Sequence, residues 1–133
     1  MSGEQDLNAL LKTLSAKLVE GVFVFTTFPY GEYPPHLKPR MMFHEAEGTT
    51  LILLQSEAEE FDLPYEFPSR MITLDVHSSL EAVGFMARIA TALAAHGMGV
   101  NPVAGFYHDH LFVPNGREVE AIQILTELAN TQS

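Results

Sequence analysis

Met71-Ile72-Thr73-Leu74-Asp75-Val76-His77-Ser78-Ser79-Leu80-Glu81-Ala82-Val83-Gly84 reads as a strand that turns through a short polar loop into a helix. Side chains alternate through Met71–His77. Ile72, Leu74 and Val76 fall on one face, and Met71, Thr73, Asp75 and His77 on the other. That two-residue period is the mark of a half-buried strand, with the aliphatic set inward. Ser78 and Glu81 then stand at the spacing of a capping box, in which each side chain satisfies a backbone N–H at the start of a helix. A helix is expected from there to about Ala95. Its stripe is Ala82, Met86, Ile89 and Leu93, joined by Val83 and Ala90. Gly97 falls where a helix commonly ends in a left-handed residue.

Downstream, Val100–Phe106 and His110–Val113 read as two strands around Tyr107-His108-Asp109. Asn115 with Glu118 repeats the capping spacing. Val119, Ile122, Leu125 and Ala129 form a second helical stripe. The order β-α-β-β-α predicts an α+β, ferredoxin-like fold, an antiparallel sheet with helices on one face. One strand is missing from that set. Either the first half of the chain or a partner subunit is expected to supply it.

Upstream, Leu63-Pro64-Tyr65-Glu66-Phe67-Pro68 breaks the pattern and divides the chain into residues 1–69 and 70–133. In the first part, Leu7, Leu10, Leu11 and Leu14 mark a short amphipathic helix over Glu4–Leu14. Val22–Phe28 is apolar and β-branched or aromatic, as a buried strand is. Arg40–Glu45 and Thr49–Gln55 flank a Gly-containing turn and predict a hairpin. Ser56-Glu57-Ala58-Glu59 looks like a capped helical turn. Pro34, Pro35 and Pro39 forbid a helix over Tyr30–Pro39, because proline locks φ and lacks the amide donor.

The composition narrows the function. The 133 residues are 47% hydrophobic and 18% charged, enough apolar material for a buried core. Seven Lys and Arg against seventeen Asp and Glu give a net charge of −10. Such a chain lacks the basic face that nucleic acid or an anionic membrane surface requires. The absence of Cys removes disulfides, thiolate nucleophiles and Cys-ligated zinc. Met1–Asp6 is acidic and lacks the basic-then-apolar pattern of a signal peptide, so a cytoplasmic location is expected.

Chemistry is most legible at the strand-to-helix turn. Unpaired amides and the positive end of the helix dipole suit a carboxylate there. Ser78 and Ser79 offer hydroxyl donors, and Glu81 offers an acceptor for an ammonium. Gly84, inside the expected helix, lowers its stability by about 1 kcal/mol relative to Ala, a loss often met where a ligand approaches closely. The plainer alternative is that the serines only cap the helix and Gly84 only permits close packing. A rival site uses His108 and His110, which share a face on a continuous strand, with His77 as a third ligand; a catalytic zinc has three protein ligands and one open position. The helical His-Glu-x-x-His spacing does not occur, nor does a Gly-x-Ser-x-Gly or P-loop string. Glu57, Glu59 and Glu60 read as a solvated face. Tyr30, Tyr33 and Tyr65 read as packing residues.

Ser-Ser-Leu-Glu-Ala-Val-Gly over Ser78–Gly84 and Asn101-Pro102-Val103-Ala104-Gly105-Phe106-Tyr107-His108-Asp109-His110 resemble an ACT domain. More narrowly, the chain is similar to a small bacterial group of stand-alone two-ACT proteins of roughly this length. The likeness is strong over Met71–Asn130. Over the first half it is weaker, and Tyr30–Pro39 stands where a regular ACT unit has its first helix. The resemblance implies a non-catalytic regulatory protein with no cofactor and no metal, which binds a small molecule, an amino acid above all, and works as a homodimer. It implies a ligand site built from Ser78, Ser79, Leu80, Glu81, Ala82, Val83 and Gly84 on one unit, with Asn101, Val103 and Ala104 on a neighbouring unit. An assembly-only module and a His-dependent metal enzyme are the alternatives.

Overall fold

The computed structural model describes residues 6–76 and 78–132. In chain order the elements are α1 (Leu7–Lys12), β1 (Ala16–Phe28), β2 (Met41–His44), β3 (Thr49–Leu54), α2 (Gln55–Glu60), β4 (Glu66–Leu74), α3 (Phe85–Ala94), β5 (Asn101–Ala104), β6 (Asp109–Pro114) and α4 (Glu118–Asn130). They pack as two compact units. One joins the residues up to Glu20 to those from Arg70 onward; the other is Gly21–Ser69.

In the first unit the sheet order is β1-β4-β6-β5, with α1, α3 and α4 as its helices. The missing strand therefore comes from the same chain, as the leading residues of β1. Strands β5 and β6 pair antiparallel, with Ala104 opposite Asp109 and Asn101 opposite Phe112. Asp6 caps α1, its Oδ1 accepting from the N–H groups of Asn8 and Ala9 at 3.0 and 3.4 Å. The helix then delivers Leu10, Leu11 and Leu14 to a core with Ile72 and Leu74 of β4, Phe85, Ile89 and Leu93 of α3, Leu111 and Val113 of β6, and Ala121 and Leu125 of α4. Each fully buried Leu contributes about 1.5–3 kcal/mol relative to an exposed one.

The alternation in β4 is as expected at Ile72 and Leu74, both fully buried, but Met71 is buried as well, so this strand is covered on both faces. β4 also starts earlier than the prolines suggested. Pro68 lies inside it, and Phe67 holds a left-handed φ of +57°. Such a conformation in a bulky residue costs about 1–3 kcal/mol. The helix expected at Ser78 begins at Phe85 instead, so Ala82 and Val83 precede it. Phe85, Ile89 and Leu93 form its buried stripe. Gly97, at φ +68°, ends this segment, and Met98 N–H reaches back to Leu93 O at 3.2 Å. In α4 the buried stripe is Ala121, Ile124 and Leu125, whereas Val119 is exposed. Asn115 does not cap α4; Glu118 Oε1 accepts from Gly116 N–H at 2.8 Å.

In the second unit the order is β2-β3-β1-β4. β2 and β3 form the expected hairpin, with Phe43 opposite Thr50. β3 then pairs antiparallel with β1, with Thr27 opposite Thr50 and Thr26 opposite Leu51. Leu37, Leu51 and Leu53 make the core, with Phe28, Tyr33 and Leu63 packed on it. Tyr30–Pro39 is indeed non-helical and supplies Tyr33 and Leu37 to that core. Ser56 lies within α2, which begins at Gln55 and has no side-chain cap.

Candidate functional site

The polar turn after β4 is held by the β5–β6 hairpin. Ser78 Oγ donates to Asp109 Oδ2 at 2.9 Å, and His108 Nδ1 lies 3.5 Å from Val76 O. Ser79 Oγ accepts from Glu81 N–H at 3.1 Å, and Ala82 N–H donates to Ser79 O at 3.0 Å, so the turn folds on itself. Both serines are buried, while Leu80 and Val83 stand exposed. Glu81 is exposed, and Ala82 is half-buried against the core. The sequence assigned the Ser78 hydroxyl to a ligand or a helix cap. In the structure it donates to a carboxylate 31 residues away, and it does not cap α3, which begins at Phe85.

Gly84 closes the turn. Its φ of +88° lies in the left-handed region, which a side chain disfavours, and a Cβ there would sit 3.5 Å from Leu7 Cδ2. Gly84 is the N-cap of α3, and it has no side chain to cap with. The first helical bond runs from Arg88 N–H to Gly84 O at 3.1 Å, leaving the amides of Phe85, Met86 and Ala87 without an intrahelical partner. The first turn of α3 carries no acidic residue. By contrast, α1 has Asp6 as its cap, and α4 has Glu118 and Glu120 in its first turn. The positive end of α3 is thus the least compensated of these three.

Asn101, Val103 and Ala104 lie on β5, the last strand of its unit's sheet order. Asn101 and Ala104 are exposed and Val103 is half-buried. Through the Ala104–Asp109 pair and the Ser78–Asp109 bond, the polar turn and β5 flank the same aspartate within one chain. His108 lies in the turn before β6 rather than on the strand, so it does not continue the alternation of His110. Their rings are 6.4 Å apart, and His110 Nδ1 is 3.0 Å from Thr73 Oγ1. Among the described residues no three His, Asp or Glu side chains gather as a metal cage; His77, the third proposed ligand, lies outside them.

The second unit holds a cleft that the sequence reading missed, with a volume of about 540 Å³. Its walls are Phe25, Thr26 and Thr27 of β1, Glu45 and Thr50 of the β2–β3 hairpin, and Pro64, Tyr65 and Glu66 at the start of β4. Thr26 Oγ1 donates to Pro64 O at 2.8 Å, tying the segment before β4 to β1. Tyr65 is fixed by its hydroxyl, which donates to Glu59 Oε2 at 3.0 Å and accepts from Gln55 Nε2 at 3.0 Å. Thr50 Oγ1 donates to Glu45 Oε1. The one signal available in sequence was the break at Leu63–Pro68, which puts Tyr65 and Glu66 beside a strand.

Both units are α+β, and the one that holds α3 carries a helix start with neither a capping side chain nor a first-turn acid. The chain belongs to the ACT domain family, with ACT domain profiles matching residues 2–70 and 66–127. It is similar to a protein of unknown function from Vibrio cholerae, described as a possible transport protein. The two share 40% identity over 94% of this chain and 97% of that one, with a TM-score of 0.83. A protein from Agrobacterium tumefaciens shares the fold at a TM-score of 0.74 and 15% identity, covering 87% of this chain and 89% of its own. So does the regulatory subunit of aspartate kinase from Thermus flavus, at 0.65 and 8%, covering 86% and 96%. None of the curated proteins matches the chain. Among the described residues, no helix is long and apolar enough to cross a membrane.

Proposed function

We propose that this protein is a non-catalytic, cytoplasmic regulator that binds a small carboxylate, an amino acid above all, at the turn before α3, and works as a homodimer. One observation carries the reading. The amides of Phe85, Met86 and Ala87 open α3 with neither a capping side chain nor a first-turn acid. A ligand carboxylate would accept from them and meet the dipole's positive end. Glu81, exposed on the same turn, would take the ammonium. Ser78, held by Asp109, positions the turn. Asn101, Val103 and Ala104 would close the site from the second copy of the homodimer. Signalling requires that the ligand favour one arrangement of subunits over another.

Membership of the ACT family supports this reading, as does the regulatory role named for the aspartate kinase relative. The test is a thermal-shift screen of the full chain against the twenty amino acids. A ligand at a hundred times its dissociation constant adds about 2.7 kcal/mol of stability. The shift should vanish in Val83→Trp, which adds bulk at an exposed position, and shrink in Glu81→Ala. A screen without any shift overturns the sensor reading. It would favour a module used only for assembly, to which exposed Leu80, Val83, Phe106 and Tyr107 lend support.

A further inference from the structure

The cleft of the second unit combines three features that bear on what it would hold. Its size, about 540 Å³, is that of a small-molecule pocket. Its aromatic walls are fixed before any ligand arrives. Tyr65 is anchored through its hydroxyl, and the Phe25 ring leans on Phe67 with centroids 5.9 Å apart. Its charged groups are all of one sign, Glu45 and Glu66, and neither has a cationic partner among the described residues. Among the described residues, the Glu45 carboxylate takes a hydroxyl hydrogen bond from Thr50 and no other side-chain bond. Aromatic faces carry negative potential and attract cations, as do the two carboxylates. The same walls repel a carboxylate.

We infer that this cleft binds a small organic ammonium ion with an apolar body and no carboxylate. The apolar body lies along Phe25 and Pro64, and the ammonium reaches Glu66 and Glu45. The site is separate from the turn before α3, and its chemistry is opposite in sign. An amino acid suited to α3 would bring its carboxylate against two glutamates here.

The test is a calorimetric titration of the full chain with phenethylammonium, at an ionic strength of about 0.15 M so that diffuse attraction to the acidic surface is screened. Saturable binding is expected. 2-Phenylethanol, which lacks the charge, and phenylalanine, which adds the carboxylate, should each bind at least about tenfold more weakly. Glu66→Gln should weaken the amine about tenfold and Phe25→Leu by several-fold, while Glu60→Gln, outside this cleft, should leave it unchanged. Glu66 is exposed, and circular dichroism verifies that Glu66→Gln folds. Amide shifts on titration should centre on residues 25–27, 65 and 66. No saturable binding, equal binding of alcohol and amine, or an undiminished affinity in Glu66→Gln overturns the inference. A negative amino-acid screen at the α3 turn leaves it standing.

Discussion

Ser78 shows how a single side chain can satisfy a local pattern yet serve a distant partner. Ser78-x-x-Glu81 has capping spacing, yet the hydroxyl goes to Asp109 and the helix waits until Phe85. A capping box needs only four residues of sequence to suggest it, but a 2.9 Å bond to a charged acceptor is stronger than a neutral cap. Glu118 is the second instructive residue. Its own backbone N–H holds the carboxyl below the ordinary carboxylate range. Burial opposes this, while the Gly116 N–H and the Arg70 guanidinium at 3.0 Å add to it. Because the folded value is lowered, the stabilisation is complete above the ordinary value near 4.3 and is lost as pH falls through the folded value. Glu118→Gln should therefore lose about 1–3 kcal/mol at pH 7 in urea melts. The gap from the parent should narrow as pH falls below the ordinary carboxylate value and through the lowered folded one; a gap independent of pH would refute the assignment.

Among the elements, α3 depends on contacts at its far end as well as on its stripe. Arg117 donates from Nη1 to Gly97 O at 3.1 Å and from Nη2 to His96 O at 3.0 Å. It also pairs with Glu120, on a surface where such a pair adds little. The two carbonyls are the part that matters, since they belong to the turn that follows α3 and its C-cap Ala95, and the bonds tie that turn to the start of α4. Arg117→Ala should lower stability by about 1–2 kcal/mol, read as a drop in Tm, while Glu120→Ala should move it by less than about 1 kcal/mol. Equal losses would show that the ion pair, not the cap, is what holds the turn. No sequence period could announce this role, because Arg117 lies 20 residues from Gly97. The stripes of α3 and α4 were legible, with Met86, Ile89, Leu93, Ile122, Leu125 and Ala129 all in or against the core. Val83 and Val119 are the exceptions: both are exposed, Val83 because it precedes α3.

At the scale of the molecule, the units that pack differ from the stretches that the family profiles match. Residues before Gly21 belong with those after Ser69, and Leu10, Leu11 and Leu14 are part of that core. Three Leu at about 1.5–3 kcal/mol each amount to a large share of a typical domain's 5–15 kcal/mol. A fragment of residues 70–133 should therefore lack a cooperative melt, and adding residues 1–20 as a separate peptide should restore helical signal. A fragment that melts cooperatively by itself would contradict this division. Period and composition sufficed for the α+β class, the short amphipathic helix α1, the β4 alternation at Ile72 and Leu74, the β2–β3 hairpin and the non-helical Tyr30–Pro39. Each of those follows from neighbours within one turn or one strand, where sterics and burial act along the chain itself. The start of α3, the bond from Ser78 to Asp109, the cap from Arg117 and the cleft around Tyr65 came only with tertiary structure. They depend on strand register and on hydrogen bonds between residues tens of positions apart, and no local period encodes such distances.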